Sequence, residues 1–349
     1  MKQLVSVHDY EDAAAGRLDE GALGYFAGGA GDERTLRDNV EAYTRYQFRP
    51  RVLVDVSACT TQTTVLGHTI SMPLLVAPVA FQRLAHPDGE PATARGARAA
   101  GTIMCLSTIA TSSPAEVAET GVQRWFQLYA MRDEGLTREL IAQARDQGFT
   151  ALLLTVDAPV SGRRERDRRS GFVIPPHLKV AALGRGDLTP ADVLAQVSPS
   201  VRWADVERIG ADSGLPVLLK GVQTPEDARL AAEHGAAGIV VSNHGGRQLD
   251  GVAATIDLLP AVVEAVDGSI EVLLDGGIRR GSDVVKALAL GARAVLAGRA
   301  ILWGLAVDGE EGVRQVLELL RAEIENTLQL LGCVSPADVR PAHVVPRPM

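Results

Sequence analysis

The chain has 349 residues, of which 46% are hydrophobic, and a net charge of -8. This acidic balance argues against nucleic acid as a partner, and no apolar run is long enough to span a membrane. Three scattered cysteines without metal-site spacing (Cys59, Cys105 and Cys333), and no signal-like segment in the first twelve residues, predict a cytoplasmic protein without a metal site.

Residues 1–65 are predicted to form a helical extension that leads into the strand–turn–strand segment "TTVLGHTISMP". From residue 74 onward, short apolar runs alternate with Ala-rich amphipathic segments, and Gly or Pro marks most junctions. The predicted strands are Leu74–Ala77, Ile103–Leu106, Trp125–Leu128, Ala151–Val156, Pro216–Lys220, Gly238–Val241, Glu271–Asp275 and Ala294–Ala297. The predicted helices between them include Pro91–Ala100, Thr137–Gln147, Thr224–His234, Thr255–Val266 and Ser282–Leu290.

Eight strands alternating with helices predict a (β/α)8 barrel over about residues 74–331. A doubly wound sheet is the alternative, but it usually has fewer strands and a Gly-rich turn after the first. Here the first strand leads into "PVAFQ". No break in composition indicates a second domain, so residues 1–349 are expected to form one. The long connection over residues 157–202 is a candidate lid or binding loop, and the hairpin before residue 74 could close the barrel floor.

Nearly every predicted strand ends in a residue that can form hydrogen bonds or carry charge. In (β/α)8 enzymes the active site lies at these carboxyl ends. One such residue taken alone is more simply a strand end that meets solvent, but a whole polar ring favours a site. The positions are Pro78, Ser107, Gln127, Tyr129, Thr155, Asp157, Lys220, Ser242, His244, Asp275, Gly298 and Arg299.

The last two strands are followed by "DGGIRRGSD" and "AGRA". Barrels often bind phosphate at these two loops through glycine N–H groups and a helix N-terminus. Gly276 and Gly277 allow close backbone approach, while Arg279 and Arg299 supply positive charge. Tight turns before helices are the alternative explanation, and the position of the pair favours phosphate.

The run "NHGGRQLDG" places His244 and Arg247 beyond the sixth strand. A histidine there can exchange a proton with a substrate, and an arginine can bind a carboxylate through two parallel hydrogen bonds. Asp157 could orient the histidine, and Lys220 ends an apolar strand in the same ring. A structural histidine is the simpler reading of His244 alone, but the four residues together indicate a site.

The charged run "GRRERDRR" follows shortly after Asp157. Most of it is expected to be a solvated, salt-bridged loop. At least one of its arginines could point into the barrel mouth.

These motifs, together with "YFAGGAGDERTLRDN", "FRPRVLVDVS", "STIATSS", "FQLY", "LTVDAP" and "VVSNHGGRQLDG", resemble the FMN-dependent L-2-hydroxy acid oxidases and dehydrogenases over almost the whole chain. The glycolate and lactate oxidases form the most similar subgroup. The resemblance implies oxidation of a 2-hydroxy acid to a 2-oxo acid with FMN as cofactor.

The resemblance also implies roles for individual residues. His244 takes a proton from the substrate and Asp157 pairs with it, while Tyr129 contacts the substrate hydroxyl and Lys220 stabilises the reduced flavin. Tyr25, Arg164 and Arg247 hold the substrate carboxylate. The implied cofactor-binding residues are Pro78, Val79, Ala80, Ser107, Gln127, Thr155, Lys220, Ser242, Asp275, Gly276, Gly277, Arg279, Gly298 and Arg299.

The sequence departs from glycolate oxidases at Val79, where they usually have Thr, and at Ile109, where they have Trp. The Ile109 departure predicts a larger pocket and L-lactate or a larger 2-hydroxy acid as substrate. The loop from about Lys179 to Val201 is also shorter than in many relatives.

Oxygen is the expected electron acceptor, with hydrogen peroxide as product, because the sequence shows no haem domain and no membrane insert. A quinone- or cytochrome-linked dehydrogenase, a mandelate-type oxidase and a lactate monooxygenase remain alternatives within the family. A redox-neutral phosphate-binding barrel and an inactive flavin-binding protein are alternatives outside that chemistry. Family resemblance also implies a homo-oligomer, as a tetramer.

Overall fold

The computed structural model describes residues 3–183 and 190–347. Its strands are β1 Tyr46–Phe48, β2 Thr63–Val65, β3 His68–Ile70, β4 Leu74–Val76, β5 Ile103–Ser107, β6 Gln123–Leu128, β7 Leu152–Thr155, β8 Val217–Val222, β9 Gly238–Val241, β10 Glu271–Asp275, β11 Ala294–Ala297 and β12 Val344–Pro346. Its helices are α1 Val7–Ala15, α2 Glu20–Ala27, α3 Arg34–Glu41, α4 Gly89–Ala99, α5 Pro114–Ala118, α6 Glu134–Asp146, α7 Glu165–Ser170, α8 Pro190–Ala195, α9 Trp203–Ser213, α10 Pro225–Glu233, α11 Thr255–Val266, α12 Gly281–Ala289 and α13 Arg299–Leu331.

Strands β4 to β11 form a closed, parallel barrel in chain order, in which β11 pairs with β4. The strands are buried almost throughout, as parallel strands covered by helices must be. The barrel confirms the predicted (β/α)8 fold, and its strand ends lie within two residues of the predicted ones. The predicted helices correspond to α4, α6, α10, α11 and α12, with small shifts at their ends.

Alternate side chains of the barrel strands fill its interior. This inner cluster includes Leu75, Cys105, Trp125, Leu153 and Leu296. Val65 and Ile70 of the β2–β3 hairpin belong to the same cluster, and the backbone N–H of Leu66 donates to Glu271 at the start of β10. The hairpin therefore covers the amino-terminal end of the barrel, which leaves the carboxyl end for a site.

The chain before the barrel contains more than helices. α1 packs on α13, and α3 packs against the turn at His244–Gly246 beyond β9. β1 pairs antiparallel with β12, so the segment before the barrel is tied to the end of the chain. Sequence analysis did not predict this strand pair, nor α13, which is interrupted at Asp308 and Gly309.

The connection between β7 and β8 carries α7, α8 and α9. The predicted long loop over residues 157–202 falls here, and its part at 184–189 lies outside the described residues. Within the described ranges, no helix combines the length and the apolar character needed to cross a membrane.

Candidate active site

A cleft of about 1270 Å³, a volume that includes space open to solvent, lies at the carboxyl end of the barrel. It brings together nearly all the residues predicted for the site. These are Tyr25, Pro78, Val79, Ala80, Ser107, Ile109, Gln127, Tyr129, Thr155, Arg164, Lys220, His244, Arg247, Asp275, Gly276, Gly277, Arg279, Gly298 and Arg299. The other two predicted residues, Asp157 and Ser242, lie behind this lining and contact it through hydrogen bonds.

His244 and Asp157 form a pair, with 2.9 Å between Nδ1 and Oδ1. Burial alone would raise the pKa of Asp157, but the attraction of His244 and Lys220 leaves that pKa below its usual value. An ionised carboxylate only accepts hydrogen bonds, so Nδ1 of His244 must donate and Nε2 is left to exchange a proton.

Gly221 makes room for Asp157. It lies at an irregularity of β8 with φ of 117°, and a Cβ there would stand 2.5 Å from Cβ of Asp157. The side chain of Asp157 is only 5% exposed, and glycine is what allows the carboxylate to pack on the strand.

Lys220 is buried at the end of β8, with Nζ 2.9 Å from Oδ2 of Asp275 and 3.0 Å from Oγ of Ser242. Burial lowers the pKa of a lysine, but Asp275 and Asp157 more than offset this, and the pKa of Lys220 is raised. The ammonium therefore stays charged inside the cleft.

Arg247 and Arg164 approach the same ring, Tyr25, with their Cζ atoms 5.0 Å and 5.8 Å from its centroid. Nη1 of Arg247 donates to the carbonyls of Tyr25 and Gly28. Burial, and then the like charge of Arg164, lower the pKa of Arg247 to about 10. Two cations held this close favour an anion between them.

Arg299 is partly buried and donates to three backbone carbonyls, those of Phe26, Gly28 and Gly245. Burial and the charges of Arg247 and Arg279 put its pKa well below the usual value. Arg279 lies nearby, 3.5 Å from a carboxylate oxygen of Glu11. Two partly buried guanidinium groups with one carboxylate at 3.5 Å beside them fit a strongly charged anion such as phosphate.

A polar chain crosses three adjacent strands at the base of the cleft. Ser107 donates to Oε1 of Gln127 at 3.1 Å, and Nε2 of Gln127 donates to Thr155 at 3.0 Å. These two hydrogen bonds fix the orientation of the Gln127 amide.

Tyr129 directly follows β6. Burial and the charge of Asp157 raise the pKa of Tyr129 to about 12, so its hydroxyl keeps its proton and can donate.

The sequence profile of a family described as FMN-dependent dehydrogenase matches residues 14–346. The chain belongs to this family. Glycolate oxidase 3 of Oryza sativa subsp. indica is 50% identical, with 99% of this chain and 97% of the relative covered. L-lactate oxidase of Nostoc sp. is also 50% identical, with 96% of each chain covered.

Solved structures of mandelate oxidase have the same fold as this FMN-dependent dehydrogenase family member. One has a TM-score of 0.94 at 45% identity, with 99% of both chains covered. Another, with benzoyl-formic acid, has a TM-score of 0.92 at 44% identity, with 99% of both chains covered.

The cleft fits the cofactor of the family. Arg279 and Arg299 could hold the FMN phosphate, and Lys220 could face the ring. Oδ1 of Asp275 is buried without a hydrogen-bond partner among the described residues, so it can accept from a hydroxyl of the cofactor chain. Across residues 3–183 and 190–347, no group of three or more His, Cys, Asp or Glu side chains could hold a metal ion.

Sequence analysis predicted Pro78, Val79, Ala80 and Ile109 in the lining but missed other apolar residues. Phe26, Phe81 and Leu302 come from flanking helices and turns, while Ile174 and Leu194 come from the β7–β8 connection. Apolar residues in a loop carry no local signal of which cavity they face. Phe81 also has a left-handed backbone (φ 56°), which is unusual for an aromatic residue and cannot be read from the sequence.

Proposed function

We propose that this protein oxidises an L-2-hydroxy acid to the 2-oxo acid, with FMN as resident cofactor and O2 as final acceptor, which leaves as hydrogen peroxide. The observation that carries the proposal is one cleft that holds the His244–Asp157 pair, the Arg247–Arg164 pair and a charged Lys220. The names of the relatives, glycolate oxidase and L-lactate oxidase, support both the substrate class and oxygen as acceptor.

The substrate carboxylate binds between Arg247 and Arg164, next to Tyr25. Within the described residues, Nη1 is the guanidinium nitrogen of Arg247 that donates hydrogen bonds to the protein, both to backbone carbonyls, so Nη2 is available to donate to a carboxylate oxygen. The carboxylate also relieves the repulsion between the two guanidinium groups that lowers the pKa of Arg247.

The substrate hydroxyl faces His244 and Tyr129. His244 takes the proton at Nε2, and Asp157 stabilises the imidazolium that forms because its carboxylate is ionised and buried beside Nδ1. Tyr129 donates to the substrate oxygen. Bound FMN supplies the two-electron acceptor for this oxidation.

The remaining assignments concern the cofactor. Arg279 and Arg299 would hold the phosphate, with Gly276, Gly277 and Gly298 in the same cleft. Asp275 would accept from the hydroxylated chain, and Lys220 would provide positive charge for the ring. The residues of the cleft that would line the ring are Pro78, Val79, Ala80, Ser107, Gln127 and Thr155, and Ser242 hydrogen-bonds to Lys220.

The proposal is tested by mixing the purified, yellow protein with L-2-hydroxy acids without oxygen. The flavin absorbance should bleach with substrate, and air should restore it with release of hydrogen peroxide and 2-oxo acid in equal amounts. Slow recovery in air but fast turnover on an artificial quinone would make it a dehydrogenase, and a decarboxylated product would make it a monooxygenase. No bleaching with any hydroxy acid would contradict the proposal.

Lys220→Met should lower the reduction potential of the bound flavin, because the reduced ring loses its positive neighbour. The measurement is a potentiometric titration against a reference dye. Lys286→Met is the control, since that ammonium donates to the carbonyl of Tyr43 outside the cleft. Equal potentials in wild type and Lys220→Met, with full FMN occupancy, would place Lys220 away from the ring.

We also propose that Ile109 shapes the space for the substrate side chain. It is buried, with 3% exposure, and shares the cleft with Ile174 and Leu194. An apolar wall favours an apolar substituent, and each buried CH₂ contributes about 0.8 kcal/mol, or roughly fourfold in specificity. L-lactate or a larger 2-hydroxy acid, including an aromatic one of the mandelate type, is therefore preferred to glycolate.

Ile109→Trp should reverse part of this preference, because the indole refills the space of the substrate's side chain. The kcat/KM ratio over glycolate should fall roughly fourfold for L-lactate and roughly fifteenfold for a hydroxy acid with two extra carbons. Steady-state kinetics on a series from glycolate to mandelate measures it. A ranking unchanged by the tryptophan would mean that Ile109 does not contact the substituent.

We propose further that the chain is one domain, that it assembles as a homo-tetramer and that it acts in the cytoplasm. The continuous core and the family resemblance support the first two, and the three free thiols of Cys59, Cys105 and Cys333 support the third. Exposed Val52 and Leu53 offer apolar surface to a second copy. Light scattering after gel filtration measures the number of subunits.

A further inference from the structure

The turn that carries His244 has a strained backbone. His244, Gly245 and Gly246 all have positive φ, of 58°, 63° and 73°. Glycine adopts this region freely, but a residue with a Cβ does so only when its surroundings hold it there. The position of the His244 ring therefore depends on what holds this turn.

Two buried asparagines hold it from the side. Asn243 directly precedes His244, and its amide forms two reciprocal hydrogen bonds with Asn39 of α3, each 2.8 Å long. Oδ1 of Asn243 also accepts from the N–H of Gly246 at 3.2 Å, so the same amide closes the turn. Both asparagines are only 2% exposed.

Asn39 is itself fixed on the opposite side. Its Oδ1 also accepts from the N–H of Thr255 at 3.3 Å, at the start of α11. Its backbone lies so close to the loop after β10 that a Cβ on Gly277 would stand 1.9 Å from the carbonyl oxygen of Asn39. Asn39 is therefore held between two segments: the turn at His244–Gly246 and the loop after β10, which is predicted to bind phosphate.

We propose that Asn39, in the extension before the barrel, is a positioning residue for His244. It acts through Asn243: the amide pair fixes Asn243, Asn243 closes the turn, and the turn aims Nε2 of His244 at the substrate. The proposal rests on the proposed function, since it assumes that His244 is the base. It requires no contact between Asn39 and substrate or cofactor.

The expected result for Asn39→Ala is a protein that binds FMN and substrate but reduces its flavin about a hundredfold more slowly, the usual effect of misplacing a reacting group by about 1 Å. Substrate affinity, taken from the concentration dependence of the reduction rate, should change much less. Nitrogen NMR of ring-labelled histidine should show a changed Nδ1 signal for His244, because its hydrogen bond with Asp157 is disturbed.

Thr35→Val is the matched control. Thr35 lies one turn earlier on α3 and is fully buried. Its Oγ1 accepts from the N–H of Gly251 and donates to the carbonyl of Val252, a few residues after the turn at His244–Gly246. The variant should lower thermal stability without changing the reduction rate or the His244 signal. Equal slowing in Thr35→Val and Asn39→Ala would overturn the proposal, because loss of stability alone would explain both.

Asn243→Ala and the double variant complete the test. If the two asparagines act as one unit, the double variant should be no slower than the slower single variant. A wild-type rate and an unchanged His244 signal in Asn39→Ala would overturn the proposal. Should Asn39→Ala not fold, the isosteric Asn39→Asp decides by the same criteria, since it keeps the acceptor for Thr255 but loses the donor to Asn243.

A failure of the proposed function can be distinguished from a failure of the proposal on Asn39. His244→Ala with a normal reduction rate would remove the base assignment. The NMR signal of the ring in Asn39→Ala would still show whether Asn39 sets the position of His244.

Discussion

His244→Ala is expected to keep its FMN and to slow flavin reduction by roughly two to four powers of ten, the usual contribution of a general base. The reason is local. Asp157 is ionised and lies 2.9 Å from Nδ1 of His244, so its buried charge stabilises the imidazolium that forms when His244 takes a proton. Stopped-flow absorbance without oxygen measures the rate.

The control for this variant is His234→Ala, which removes a histidine that stacks on Trp203 and lies outside the cleft. Its reduction rate should match wild type. A near-normal rate in His244→Ala, with full FMN occupancy, would remove His244 from the mechanism.

Arg247→Lys is expected to reduce kcat/KM for 2-hydroxy acids by roughly ten- to 150-fold. Hydrogen bonds to charged groups contribute about 1.5–3 kcal/mol each, and an ammonium cannot reproduce the planar two-point contact of a guanidinium. It also cannot reach the carbonyls of Tyr25 and Gly28 while facing a carboxylate. KM should rise and kcat should fall together.

Arg169→Lys makes the same exchange in the charged run that follows Asp157, on an exposed side chain that pairs with Glu165 on α7. It should leave both constants unchanged. Wild-type kinetics on L-lactate in Arg247→Lys would show that the carboxylate binds elsewhere in the cleft.

The barrel and the polar ring could be predicted from the sequence because both depend on local pattern. Strands such as β9, buried along their whole length, are continuous apolar runs, and residues at their carboxyl ends must converge when the barrel closes. His244, Lys220 and Asp275 were therefore predicted to share a mouth, and the structure places them in one cleft.

The contacts that complete the site could not be predicted in this way. The carbonyls of Tyr25 and Gly28 that hold Arg247 lie more than two hundred residues away in the chain, as does Asn39 from Asn243. A carbonyl carries no residue-specific signal, and an asparagine near the end of a helix is ordinarily read as a cap. The strand pair of β1 and β12 was missed for the same reason.

The pairing of β1 with β12 also affects when the protein can fold during its synthesis. Among the described residues β1 pairs with β12 alone, and the barrel closes by the pairing of β11 with β4. Synthesis starts at the amino terminus, so Tyr25 and Asn39 leave the ribosome long before the residues that they contact. Those residues are Arg247 for Tyr25 and Asn243 for Asn39. Assembly of the cleft must be a late event that follows release of nearly the whole chain, and the partly made protein must protect its open barrel strands until then.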